Sequence, residues 1–361
     1  MDDFVHEQLP QRIVFGWGRL SELSSEVDRL SRGRIMLVAE RSTGSIAERI
    51  RHDFGARLIA TIPEARSHVP RDQVDAARAQ AESYDVDVVV TVGGGSATGL
   101  GKAIVLERGS SLLSVPTTYA GSEVTPIYGI TDSRRKRTGS DRRVLPTTVL
   151  YDPHLTTTLP ARVTASSGMN AIAHCVEALY SNAGSPIAST LAEEALRRLR
   201  KALPHCVDDP TDRAARSNAL YGAYLAGSVL AMTSMAIHHR ICHVLGGSFG
   251  LPHGDVNAVV LPHALAFNEP AATDAVASIA RAMDVIEAAP GLFDFSASLG
   301  APRSLRELGM GAADLESAAL LVAEEEFRNP RPVYADDVLN ILQAAYDGHR
   351  PHGDGKRRAQ G

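Results

Sequence analysis

Two hydrophobic patterns divide this chain. Up to about residue 155, short apolar runs alternate with segments of helical periodicity: Arg12-Ile-Val-Phe-Gly reads as an entry strand and Arg34-Ile-Met-Leu-Val-Ala as a buried one. A helix is predicted over 42–54, a strand over 57–61, a helix over 71–84, and the most apolar strand over 86–92. A last strand, Thr148-Val-Leu-Tyr151, precedes a turn at Asp152-Pro153. Strands alternating with helices predict a parallel sheet covered on both faces, with ligands bound beyond the carboxyl ends of its strands. From about Ala161 to Leu342 the strand pattern stops. Alanine-rich amphipathic segments predict helices over 161–180, 187–203, 212–235, 238–247, 263–267, 271–282, 313–323 and 335–346. The expectation is a nucleotide-binding α/β domain over 1–155, an all-helical domain over 156–348, and a disordered tail over 349–361, rich in Gly, Arg, Lys and His.

Composition agrees with a two-domain globular protein. At 361 residues the chain exceeds one core of about 150 residues. Its 44% hydrophobic and 22% charged content, with a net charge of -5, gives no sign of nucleic-acid binding. No run approaches the roughly 18 apolar residues of a membrane span, and the N-terminal residues lack the basic and apolar regions of a leader. Cys175, Cys206 and Cys242 share no CxxC spacing and cannot all pair, which fits a reducing cytoplasm. Ser133 to Arg143 is a dense basic run, read either as a solvated hairpin loop or as a patch that attracts an anionic cofactor or substrate.

Candidate chemistry concentrates in four segments. Thr91-Val-Gly93-Gly94-Gly95-Ser96 follows the most buried strand and opens a helix through Leu100-Gly-Lys102, so its free N–H groups suit a pyrophosphate; the alternative is a structural turn. It is neither GxGxxG nor a Walker A motif. Val115-Pro116-Thr117-Thr118-Tyr-Ala-Gly-Ser122-Glu123 offers hydroxyls after the next strand. Glu40 ends the strand 34–39, where a carboxylate could hold an adenosine ribose and disfavour a 2′-phosphate, though Arg41 could offset it; a plain surface acid is the other reading. In the helical half, Asn170 and His174 are four residues apart, as are His239 and His243, and His253 follows beyond a glycine and proline break. One histidine on an apolar helix is usually a hydrogen-bonded core residue, but several on two helices indicate an active-site or metal cluster.

The succession GGGS, PTTxxxSE, Gly168-Met-Asn-Ala-Ile-Ala-His174, His239-Arg-Ile-Cys-His-Val-Leu-Gly246 and Leu251-Pro-His-Gly254 resembles the iron-containing alcohol dehydrogenase superfamily. The likeness runs from the entry strand to Asn329-Pro-Arg331. Thr98-Gly-Leu-Gly-Lys102, Tyr119-Ala-Gly-Ser-Glu123 and Asn170 give it most resemblance to the maleylacetate reductase branch. The resemblance implies a dehydroquinate synthase-like fold, a nicotinamide cofactor (NADH or NADPH) and, by habit of such relatives, a homodimer. It also implies that the metal-ligand positions of metal-dependent members fall on Asn170, His174, His239 and His253, with His243 near the substrate. Asn170 stands where those members have an aspartate, and a neutral amide oxygen is a poor partner for iron or zinc, so no metal is expected. Imidazoles without a carboxylate, together with Arg240 and Lys102, would instead form a donor-rich pocket for a dicarboxylate. Maleylacetate, the substrate the resemblance implies, is a conjugated enone that needs no metal: hydride adds to the alkene, and His243 and His253 stabilise and protonate the enolate while His174 and His239 hold carboxylates or order the pocket. The alternatives are a metal-dependent alcohol or glycerol dehydrogenase, and a non-redox relative such as a dehydroquinate-synthase-like lyase.

Overall fold

The structure, a computed structural model, describes all residues except 1–2, 31–32, 133–134, 182 and 353–361. Gln8–Leu159 forms one compact unit and the chain from Pro160 onward a second.

In the first unit, strands β1 (Arg12–Phe15), β2 (Ile35–Ala39), β3 (Leu58–Ile62), β4 (Val88–Gly93), β5 (Ser111–Pro116) and a later strand, Thr148–Tyr151, form one sheet. Between β5 and that last strand lies an antiparallel ribbon of β6 (Ile127–Asp132) and β7 (Arg135–Ser140), so the last strand is β8. The sheet order is β1-β8-β5-β4-β2-β3, every pair parallel. Helices α1 (Leu23–Asp28), α2 (Gly44–Phe54), α3 (Arg71–Ser83) and α4 (Gly95–Arg108) complete the unit. β2 and β4 are buried along their whole length, because helices on both faces leave no strand position for water. β2 leads outward to β3 while β4 leads to β5 on its other side, so the direction of winding reverses between β2 and β4. Their carboxyl ends, Ala39 and Gly93, flank the crevice where such sheets take ligands.

The described part of the basic run is largely strand rather than loop. Arg135–Ser140 is β7, paired antiparallel to β6, whose Ile130 is buried in the core of the sheet unit. Ser133 and Arg134 lie outside the described residues, as does most of the expected disordered tail. Arg143 forks onto Asp141 at 2.7 and 3.0 Å.

The second unit is helical: α5 (Ala161–Leu179), α6 (Pro186–Asp208), α7 (Arg213–Met232), α8 (Ile237–Phe249), α9 (His253–Asn268), α10 (Thr273–Met283), α11 (Ala288–Ser298), α12 (Leu315–Ala323) and α13 (Ala335–Asp347). Two differences from the sequence expectation share a cause. α9 runs from His253 rather than from His263, and α11 was not expected, because Gly254 and Pro262 in the first, and Pro290 and Gly291 in the second, suggested breaks. Pro290 sits in a first turn, where its missing N–H has no partner to lose. Pro262 is carried in mid-helix by a buried apolar setting that includes Leu261 and Leu265. The helical core joins α8, α9, α12 and α13 through Ile241, Leu245, Val260, Val322 and Leu342. Arg216, fully buried, pins the α6–α7 turn to α5 by donating to Pro210 O, Thr164 Oγ1 and Cys206 O. Among the described residues no single helix is long and apolar enough to cross a membrane.

Candidate active site

The first group of candidates sits at the carboxyl edge of the sheet. Gly93 has φ +151°, and a Cβ there would lie 2.8 Å from the Glu40 carboxyl carbon; a Cβ on Gly94 would lie 2.8 Å from Thr118 Oγ1. Both glycines are therefore dictated by close approach, not by the turn alone. The Thr117 N–H donates to Gly93 O at 3.0 Å, which ties the loop after β5 to the turn after β4. Thr117 is buried, whereas Gly95 is exposed and Ser96 and Thr118 are half-buried.

Glu40 commits one carboxylate oxygen to the glycine turn. Its Oε1 accepts the Gly94 and Ala97 amides at 3.0 and 3.2 Å, because the positive end of α4 attracts the nearest anion. Burial raises its pKa, and the amides of Ala97, Gly94 and Ser96 oppose that rise. Arg41 pairs with Glu64 instead.

Lys102 and Arg240, expected to bind a dicarboxylate, are both committed elsewhere. Lys102 is completely buried, and its Nζ donates to Ser122 O, Thr125 O and Ile127 O at 2.6–2.8 Å. It clamps the segment after the Thr117-Thr118 loop onto α4. Burial pushes its ammonium down to about 7, with Glu123 opposing. Burial also raises the pKa of the Glu123 carboxyl, which accepts the Tyr151 hydroxyl at 2.7 Å. Arg240 lies on α8 but points to α12 and beyond, donating to Leu321 O, Val322 O and Glu325.

The histidines do gather. Successive ring centroids are 5.0 Å apart for His174 and His239, 6.4 Å for His239 and His243, and 6.1 Å for His243 and His253. The first and last of these pairs are stacked within 19°. His174, His239 and Asn170 are buried, while His243 and His253 are half-exposed, so the row runs from the interior outward. Three elements build it. Asn170 and His174 are one turn apart on α5, His239 and His243 one turn apart on α8, and Gly250 at φ +71° ends α8 so that α9 begins at His253. Gly254 packs on Ser166 of α5, where a Cβ would meet Ser166 Oγ at 3.2 Å. Burial, then His239, holds His174 well below its ordinary pKa.

A carboxylate missed by sequence reasoning lies beneath this row. Glu177, buried on α5, accepts His239 Nδ1 at 2.6 Å, the Ala236 and His238 amides at 3.0 and 2.9 Å, and the Tyr180 hydroxyl at 3.3 Å. Burial works against its charge, but His239, His238 and the Ala236 amide outweigh that and leave its pKa lowered. The expectation of imidazoles without a carboxylate is thus corrected. His238 was missed as well: Asn257 Nδ2 donates to His253 O, leaving Asn257 Oδ1 to accept His238 Nε2–H at 2.8 Å. Burial, then His239, pushes His238 down to about 4. The available clue was the one acid on α5, three residues after His174.

The donor set does not fit an iron ion. The oxygen donor, Asn170, is a neutral amide, which leaves a bound dication without a charged ligand. The α4 N-terminus is an anion-binding element of the kind that takes a dinucleotide phosphate, and Glu40 Oε1 shares its Gly94 and Ala97 amides.

Comparison with known proteins agrees with this division. The family model for the iron-containing alcohol dehydrogenases matches residues 10–153, and that for the C-terminal part of the family matches 164–346. The chain belongs to the iron-containing alcohol dehydrogenase family. Within it, the chain is similar to the maleylacetate reductase of Burkholderia cepacia, 47% identical over 351 residues, 97% of this chain and 100% of the relative. Maleylacetate reductase 1 of Rhodococcus opacus is 42% identical over 97% of this chain and 98% of its own. The crystal structure of maleylacetate reductase from Agrobacterium tumefaciens superposes with a TM-score of 0.91 at 42% identity, covering 97% of this chain and 100% of that one. The chain is an oxidoreductase of this group.

Proposed function

We propose that the protein reduces the carbon–carbon double bond of maleylacetate to give 3-oxoadipate, in the breakdown of aromatic compounds. The observation that carries the reading is a row of four histidines whose one oxygen neighbour at the expected ligand position is the amide Asn170. Such a row offers hydrogen bonds to a dianion, and a neutral amide stands at the position where the metal-dependent relatives have a charged ligand. The relatives of 42–47% identity carry the maleylacetate reductase name. A reduced nicotinamide, NADH or NADPH, supplies the hydride when bound, with its phosphates at the α4 N-terminus among Gly93, Gly94, Gly95, Ser96, Thr117 and Thr118.

The chain's own residues then act on the substrate. As hydride adds to the alkene carbon β to the ketone, charge develops on the ketone oxygen. His243 and His253, the half-exposed members of the row, donate to that enolate oxygen and return a proton to the carbon between. His174, neutral and buried, and His239, held by Glu177, order the inner end of the pocket and its substrate carboxylate. With Lys102 and Arg240 spent elsewhere, these imidazoles and the Asn170 amide carry the recognition. The cytoplasm as location and a homodimer as assembly follow from the same reading.

The test is to run the reaction with cofactor deuterated at the transferred position. One deuterium at the former alkene carbon β to the ketone supports the reading; deuterium on the ketone carbon overturns it. One observation favours the metal-dependent dehydrogenase reading: a carboxylate on the far nitrogen of an imidazole, as in Glu177–His239, is how metal-ligating histidines are commonly oriented.

A further inference from the structure

Glu177 is surrounded by donors on every side. Its two oxygens take two backbone amides, the Tyr180 hydroxyl and His239 Nδ1. Both Glu177 and His239 have side chains no more than 3% exposed. A carboxylate only accepts, so the nitrogen of His239 that meets it at 2.6 Å carries the proton. The neutral ring then has its lone pair on Nε2, and a charged ring has an N–H there. Nε2 is buried and has no hydrogen-bond partner among the described residues. A buried nitrogen left so is costly unless a ligand satisfies it. The neighbouring His238 is held the opposite way, with its proton on Nε2 toward Asn257 Oδ1.

We infer that Glu177 is a positioning residue of the reductase: it locks the orientation and tautomer of His239 so that Nε2 faces the substrate. This rests on the reading of the histidine row as the substrate pocket. The simpler role, a cap on the first turn of α8, is served by the Ala236 and His238 amides alone and leaves the 2.6 Å contact to His239 without purpose.

Two measurements test it on the full chain. In long-range proton–nitrogen spectra of histidine-labelled protein, with His239 assigned by its loss in H239Q, the ring carries its proton on Nδ1, alone or with Nε2. A neutral ring protonated only on Nε2 overturns the inference, and this result does not depend on any Glu177 variant folding or on any assay. In kinetics with maleylacetate, Glu177→Gln lowers kcat on the order of 10- to 100-fold with cofactor KM within about twofold, and Glu177→Asp recovers part of the loss. The double variant E177Q/H239Q is no slower than H239Q alone. A kcat for E177Q within about threefold of the parent, or a full E177Q effect retained in the H239Q background, overturns it. Absence of any turnover by the unaltered protein counts against the proposed reaction, while the tautomer still decides the role of Glu177.

Discussion

Glu40 Oε1 lies 3.0 Å from the amide nitrogen of Gly94, so the carboxylate at the end of β2 occupies N–H groups that a cofactor phosphate needs. Charge at this point also bears on a 2′-phosphate, which a neighbouring carboxylate repels. Glu40→Gln is expected to shift the ratio of kcat/KM values toward NADPH over NADH on the order of tenfold. Steady-state kinetics with both cofactors at fixed substrate checks this; an unchanged ratio contradicts it.

Lys102 holds three backbone carbonyls and offsets the buried Glu123. Lys102→Met leaves these acceptors and that carboxyl without a cation, and is expected to cost about 3–5 kcal/mol of stability. Denaturant unfolding measures it. Lys102→Arg does not restore stability, because the site is completely buried and admits no larger group. A methionine variant as stable as the parent would show the clamp to be dispensable.

His238 and His263 are each pushed down to about 4, both first by burial, and His174 is held well below its ordinary value. The folded chain keeps these rings neutral while the unfolded chain takes up protons below about 6.5, so stability is present above that pH and lost as the pH falls toward 4. His238 and His263 each contribute on the order of 3 kcal/mol at most to this loss. His263 Nε2 has no partner among the described residues and the ring packs edge-on to Phe293, so His263→Leu is expected to flatten the fall. Urea midpoints at pH 6.5 and 4.5 for both proteins check it; identical falls contradict it.

His243 lies in the outer, half-exposed half of the row on α8, while the glycine turn lies in the other compact unit. His243→Ala should therefore lower kcat on the order of 100-fold with little change in cofactor binding. Loss of cofactor affinity with kcat intact would reject the division of labour between the two units.

The fold class was legible because period-two and period-3.6 patterns separate sharply in this chain, and all six strands of the main sheet except β5 were read as strands directly. The β6–β7 ribbon was hidden: a run of like charges on β7 does not announce a strand, since its alternate positions carry no apolar side chains. α9 and α11 were hidden by Gly and Pro, whose cost a buried helix absorbs. At the site, the spacing of Asn170, His174, His239, His243 and His253 indicated a cluster because four-residue steps fix a helix face. Direction was not legible. Arg240 is one residue from His239 yet on another face of α8, and Lys102 turns inward to carbonyls that no spacing rule reveals. Glu177 was missed because a carboxylate whose partners are 59 to 62 residues away leaves no local pattern.

The central claim is that the histidine row works on a conjugated dicarboxylate without a metal. Protein dialysed exhaustively against chelator, with metal content measured on the same sample, should still oxidise reduced nicotinamide at an undiminished rate when maleylacetate is added. Activity that disappears with the metal, and returns when iron or zinc is restored in stoichiometric amount, would contradict it.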